Sequence, residues 1–171
     1  MDLIIERDPA GPGLTAHFAG NAVPCAVGRG GLAQHKQEGD GATPVGRFPC
    51  REVFWRPDRL ARPVTALPTR LLRINSGWCD ASHDALYNRP VTLPYPARTE
   101  ALWRDDHIYD LIVPLGYNDD PPVPGRGSAI FLHVARAGFR PTEGCVALAL
   151  ADLLAFLALA GPDSTVIVGD Q

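Results

Sequence analysis

SAIFLHVA, residues 128–135, is an apolar run of strand length with a histidine near its end. Its hydrophobic character is nearly continuous instead of alternating, which predicts a strand covered on both faces. HIYDLIVPLGY, residues 107–117, has the same character, and the proline-rich NDDPPVPGRG between the two reads as a loop. A pair of central strands therefore frames the molecule, and the rest of the chain can be read outward from it.

On the C-terminal side, CVALAL (145–150) reads as a short strand running into a helix. ADLLAFLALA (151–160) is the helix candidate, with Asp152 near the positive end of its dipole and Gly161-Pro162 as its stop signal. STVIVG (164–169) predicts a last strand. On the N-terminal side, LIIER (3–7), LTAHF (14–18) and AVPCAV (22–27) are separated by the turn sequences DPAGPG and AGN, and predict an antiparallel meander. Residues 28–47 are rich in glycine and polar groups and read as a long loop, followed by FPCREVFWR (48–56) as one further strand. Residues 57–106 are irregular and broken by prolines. A stretch of that length without clear periodicity suits a functional segment or a cover over one face of the sheet.

Composition agrees with a β-rich domain spanning residues 1–171. Glycine and proline number 17 each, 46% of residues are hydrophobic and 20% charged, as in an ordinary globular domain with a core of its own. The net charge is −3 and no run of Lys or Arg occurs, which argues against nucleic acid as a partner. Lys36 is the sole lysine. No apolar run approaches the roughly 18 residues of a membrane span. The N-terminal MDLIIERDPAGPG lacks a basic region and has a three-residue apolar run, so it does not read as a signal peptide.

The four cysteines, Cys25, Cys50, Cys79 and Cys145, are far apart, with no C-x-x-C pair. That removes the zinc-ribbon and thioredoxin patterns, while spacing alone leaves disulfides open. Cys145 stands out. It follows Pro141-Thr142-Glu143-Gly144, and a glycine just before it permits a tight turn that can expose the sulfur and aim nearby amides into the same space. A free thiol is mostly protonated at neutral pH and needs an adjacent base. His133, at the end of the preceding strand, can be brought beside it by a returning loop. The same two residues would also suit a packed core. His17, His35, His83 and His107 read as surface or structural residues, and no metal-ligand spacing is present. Trp78, Tyr87 and Asn88, in WCDASHDALYNRPV, have the mixed polar and aromatic character of a pocket wall, and equally of a packed loop.

FLHVARAGFRPTEGCVAL resembles the signature of the YkuD-type L,D-transpeptidase catalytic domain, a histidine followed by a loop and Ser/Thr-x-Gly-Cys. His133, Thr142, Gly144 and Cys145 fill those positions. KQEGDGATPVGRF, Lys36 to Phe48, is similar to the family's G-D-x-x-T-P-x-G-x-F stretch upstream. The resemblance implies a mostly-β, single-domain, sandwich-like catalytic fold with one C-terminal helix. It implies that Cys145 attacks a peptidoglycan stem peptide with His133 as base, that Gly144 and Thr142 support the turn and oxyanion amides, and that carbapenems trap the cysteine. No cofactor is implied. The substrate class implies the periplasm or cell envelope, with the cytoplasm as the alternative. A hydrolytic peptidase or amidase using the same cysteine, and a wall-binding module without turnover, are the rival readings. The chain departs from the family in its short loop between His133 and Cys145, in Val134 where a glycine usually follows the histidine, and in Ala147 where a substrate-positioning arginine is common. Arg136 and Arg140 are the candidates to replace that charge.

Overall fold

The computed structural model describes residues 1–8, 11 and 13–169. Pro9, Ala10 and Pro12 of the expected DPAGPG turn lie outside the described residues. The chain opens with the predicted meander: β1 (Asp2–Arg7), β2 (Leu14–Phe18) and β3 (Asn21–Ala26) pair antiparallel in sequence. In β1 the pattern is the period-2 signature of a strand, with Leu3 and Ile5 fully buried while Ile4 between them faces out.

The expected long loop at 28–47 is more ordered than its composition suggests. It carries the short parallel pair β4 (Leu32–Ala33) and β5 (Thr43–Pro44), and then β6 (Gly46–Pro49). The single strand expected at 48–56 is two. β6 and β7 (Val53–Trp55) are separated at Cys50–Glu52 and pair with different partners. The two charged residues at the break, Arg51 and Glu52, would also fit within one continuous strand, so pattern alone could not show it. Residues 57–106 contribute β8 (Thr69–Leu71), β9 (Ser76–Cys79), β10 (Arg89–Thr92) and β11 (Thr99–Ala101), the last three forming a separate sheet in the order β10-β9-β11.

The two framing strands are shorter than their apolar runs. His107–Tyr109 is a 3-10 turn, and β12 begins at Leu111 and ends at Pro114. β13 spans Phe131–Val134. Both are buried at every position, as continuous hydrophobicity requires. β14 (Val146–Leu148) runs parallel to β13, then α1 (Leu150–Leu159) and β15 (Thr165–Val168) complete the chain.

Ten strands form one sheet in the order β6-β15-β1-β2-β3-β14-β13-β12-β7-β8. Phe48 and Val166 near one end share a hydrophobic cluster with Val53 and Leu111 near the other, so the sheet curls around a common core. The helix packs into that core through Leu153, Phe156 and Leu157, with Phe156 edge-on to Phe18 at 5.8 Å between centroids. The molecule is thus a mostly-β fold with one helix among the described residues.

Alternation along β13 divides two interiors. Leu132 and Val134 face the helix-side core, while Phe131 faces a second cluster with Phe54, Trp78, Tyr109, Ile112 and Cys145. Residues 57–106 supply Leu72, Trp78 and Leu102 to this second cluster, so this segment does cover one face of the sheet.

Candidate active site

The parallel ladder between β13 and β14 sets the site. His133 pairs with Ala147, and Cys145 lies two residues before Ala147, so the imidazole and the thiol are carried to the same face of adjacent strands. Both open on a cleft of about 480 Å³ between the main sheet and the cover formed by residues 57–106. Both are nonetheless nearly enclosed, with 6% exposure for Cys145 and 4% for His133.

The turn before the cysteine is held from several sides. The Thr142 hydroxyl donates to the Cys145 carbonyl at 2.7 Å and accepts the Gly144 N–H at 3.1 Å. Thr142 is also bridged by backbone hydrogen bonds to Val27 and Arg29. Gly144 has φ +135°, and a Cβ there would approach the Ala42 carbonyl oxygen to 2.9 Å. Only glycine suits that position. Gly28 is constrained equally: a Cβ would overlap the Gly41 carbonyl and come within 2.9 Å of Gly144 Cα.

The upstream motif provides the other half of this scaffold. Asp40 accepts from the amides of Gln37 and Ala42 at 2.7 and 2.8 Å and pairs with buried Lys36 at 2.7 Å. Thr43 accepts the Gly28 N–H at 2.8 Å. Its hydroxyl also donates to the Cys145 carbonyl at 3.4 Å. The glycine-rich segment is therefore a clamp on the cysteine turn.

His133 Nδ1 lies 2.9 Å from the Val134 carbonyl. A carbonyl only accepts, so Nδ1 carries the proton and Nε2 keeps its lone pair. This is the orienting group that no sequence position revealed. Tyr109 packs edge-on to the imidazole at 5.3 Å between centroids. Burial pulls the His133 pKa down to about 4, and burial pushes the Cys145 thiol up to about 12, with the Glu100 carboxyl adding to the upward push. At neutral pH the pair is therefore an uncharged thiol beside an uncharged imidazole.

The thiol does not point at the histidine. Cys145 Sγ donates to the Ala129 carbonyl at 3.3 Å and accepts the Phe131 N–H at 3.4 Å. Ala129 has φ +53°, a conformation uncommon for alanine. Its amide is fixed by Asn88 Oδ1 at 3.0 Å.

The remaining candidates separate cleanly. Arg136 opens on the cleft, its guanidinium 3.8 Å from Asp106. Arg140 is exposed and away from the cleft, so it does not supply a charge there. Trp78, Tyr87 and Asn88 are buried and do not line the cleft. Trp78 packs edge-on against Phe131 and donates from Nε1 to Asn88 Oδ1 at 3.0 Å. Asn88 also ties down the carbonyls of Tyr117 and Asn118. Tyr87 donates to Glu38 at 2.6 Å. These three support the wall from behind, because each has its polar atoms committed to neighbours. The Gly144 N–H is taken by the Thr142 hydroxyl, so in this geometry Gly144 serves the turn. Sequence reasoning missed Glu100, Arg104 and Tyr109, all of which face the cleft. They lie in a segment without periodicity or on a strand's approach, where no local pattern marks them.

All four cysteines are free thiols. No group of three metal-binding side chains occurs among the described residues, and no helix among them is long and apolar enough to cross a membrane.

A family model described as the L,D-transpeptidase catalytic domain, YkuD, matches residues 16–168. The chain belongs to this family. The match takes in the clamp at Lys36–Phe48, β13 and the cysteine turn, so both motifs of the L,D-transpeptidase domain fall within it. No curated protein and no solved structure gives a match to the chain.

Proposed function

We propose that this L,D-transpeptidase-family domain is a cysteine acyltransferase acting on peptidoglycan stem peptides, with Cys145 as nucleophile and His133 as base. The observation that carries the reading is a thiol and an imidazole on adjacent strands, open on one cleft, with the imidazole's Nε2 left free by the Nδ1 bond to Val134.

In the reaction the Cys145 side chain turns from the Ala129 carbonyl toward His133. Nε2 takes the thiol proton as sulfur attacks the carbonyl preceding the terminal D-amino acid. The Cys145 amide is the turn's candidate donor to the oxyanion, since the Gly144 N–H is committed to Thr142. The imidazolium then protonates the departing amine and a thioester remains. An amine of a second stem peptide attacks that thioester, the C–S bond breaks, and the sulfur recovers its proton through His133. Depressed imidazole and elevated thiol pKa values favour a proton moved during attack over a standing ion pair. The substrate class implies work in the cell envelope.

Incubation with a tetrapeptide muropeptide, with and without an added primary amine, tests the function. Release of the terminal D-amino acid with an amine-linked product supports it. Release accompanied by the hydrolysed peptide alone assigns the chain to the peptidases, and no release removes the catalytic reading.

A further inference from the structure

The cleft holds four cationic side chains, Lys36, Arg98, Arg104 and Arg136, and four carboxylates, Glu38, Asp80, Glu100 and Glu143. Nearly all of them are matched. Lys36 pairs with Asp40, Arg98 with Asp80 and more distantly Glu38, Arg104 and Arg136 with Asp106, and Glu143 with Arg29. Glu100 differs. No ion pair reaches it among the described residues, and its one hydrogen bond comes from the Tyr109 hydroxyl to Oε1 at 2.6 Å. Tyr109 in turn lies edge-on to His133. A carboxylate with no contact ion pair, which Arg104 attracts only through space, is thus fixed beside the reactive pair by a residue that touches the base.

We propose that Glu100, held by Tyr109, binds the incoming acceptor amine as its ammonium ion and takes a proton from it, which makes this cleft selective for charged amine acceptors. The inference rests on the acyl-transfer reading above. A primary alkylamine is protonated at neutral pH and has no lone pair with which to attack. The step balances simply. The ammonium gives one proton to the Glu100 carboxylate. The free amine nitrogen bonds to the thioester carbonyl carbon and the C–S bond breaks. The second amine proton passes through His133 to sulfur, giving an amide and the thiol. Burial raises the Glu100 carboxyl above its ordinary range, which suits it to accept that proton.

The test compares two acceptors on one acyl-enzyme. The protein is acylated with a tetrapeptide donor, then offered either a primary alkylamine, charged at neutral pH, or hydroxylamine, uncharged at the same pH. The ratio of amide to hydroxamate product is read by mass spectrometry for wild type, Glu100→Gln and Tyr109→Phe. Glu100→Gln should lower the ratio by about a hundredfold, the low end of what a proton acceptor contributes. Tyr109→Phe, which frees the carboxylate without removing it, should lower it less. Should Glu100→Gln fail to fold, Tyr109→Phe alone carries the comparison. An unchanged ratio in the variants that acylate overturns the assignment. Failure of the wild type to acylate at all would instead refute the acyl-transfer reading, so the two failures are distinct.

Discussion

A buried thiol and a buried imidazole are stable side by side only while both are uncharged, and this gives the site its pH behaviour. The imidazole titrates near 6.5 when unfolded and near 4 in the fold. Above pH 6.5 neither state takes the proton. Between 6.5 and 4 only the unfolded state does, so stability falls as pH drops through this window, by about 3 kcal/mol in total. Urea unfolding at pH 7 and at pH 4 should show wild type losing that much more than His133→Gln. Parallel losses would mean the imidazole is not held neutral by burial. In catalysis the same residue acts as base, and His133→Ala should slow acylation by a carbapenem by about 10²–10⁴-fold with the fold kept. A rate within a few-fold of wild type would place the base elsewhere.

At the scale of elements, the cysteine turn depends on pieces far from it in sequence. Gly28→Ala forces a methyl into the Gly41 carbonyl and the Gly144 backbone, where nothing flexible can yield. Thermal unfolding should show a loss of several degrees or more, together with lost acylation. A wild-type melting profile would refute the close-packed seam. Asn88 joins β9 to the segment before β13 through Trp78 Nε1, the Ala129 amide and the carbonyls of Tyr117 and Asn118. Asn88→Ala strands those buried groups and should cost about 2–4 kcal/mol by chemical denaturation. A loss below about 1 kcal/mol would show that they find other partners. These links also mark where the sequence was readable. The strands around His133 and the meander were legible because hydrophobic period and length reveal them. The break between β6 and β7 was not, because Arg51 and Glu52 would also fit within one continuous strand, and only the change of pairing partner separates the two. Asn88 read as a pocket wall because polar and aromatic residues look alike whether they line a cavity or brace it from behind.

For the whole molecule, the curled sheet joins two motifs widely separated in the chain, with Lys36–Phe48 clamping the turn that carries Cys145. The two motifs and their order were legible in the sequence. What joins them was not, since Thr43 and Gly28 meet the cysteine turn only through strand order. The orientation of the thiol toward Ala129, and the placement of Glu100 without a contact ion pair, are likewise products of packing across three segments. The proposed envelope function carries its own check at this scale: fractionation of cells expressing the full-length gene product should find the protein with the envelope, and a purely cytosolic protein would contradict that placement. The central claim, that Cys145 is the nucleophile, is tested most directly by intact mass after exposure to a carbapenem. Wild type should gain the mass of one β-lactam and Cys145→Ala should gain none; an adduct that persists on Cys145→Ala, or no adduct on wild type, would contradict it.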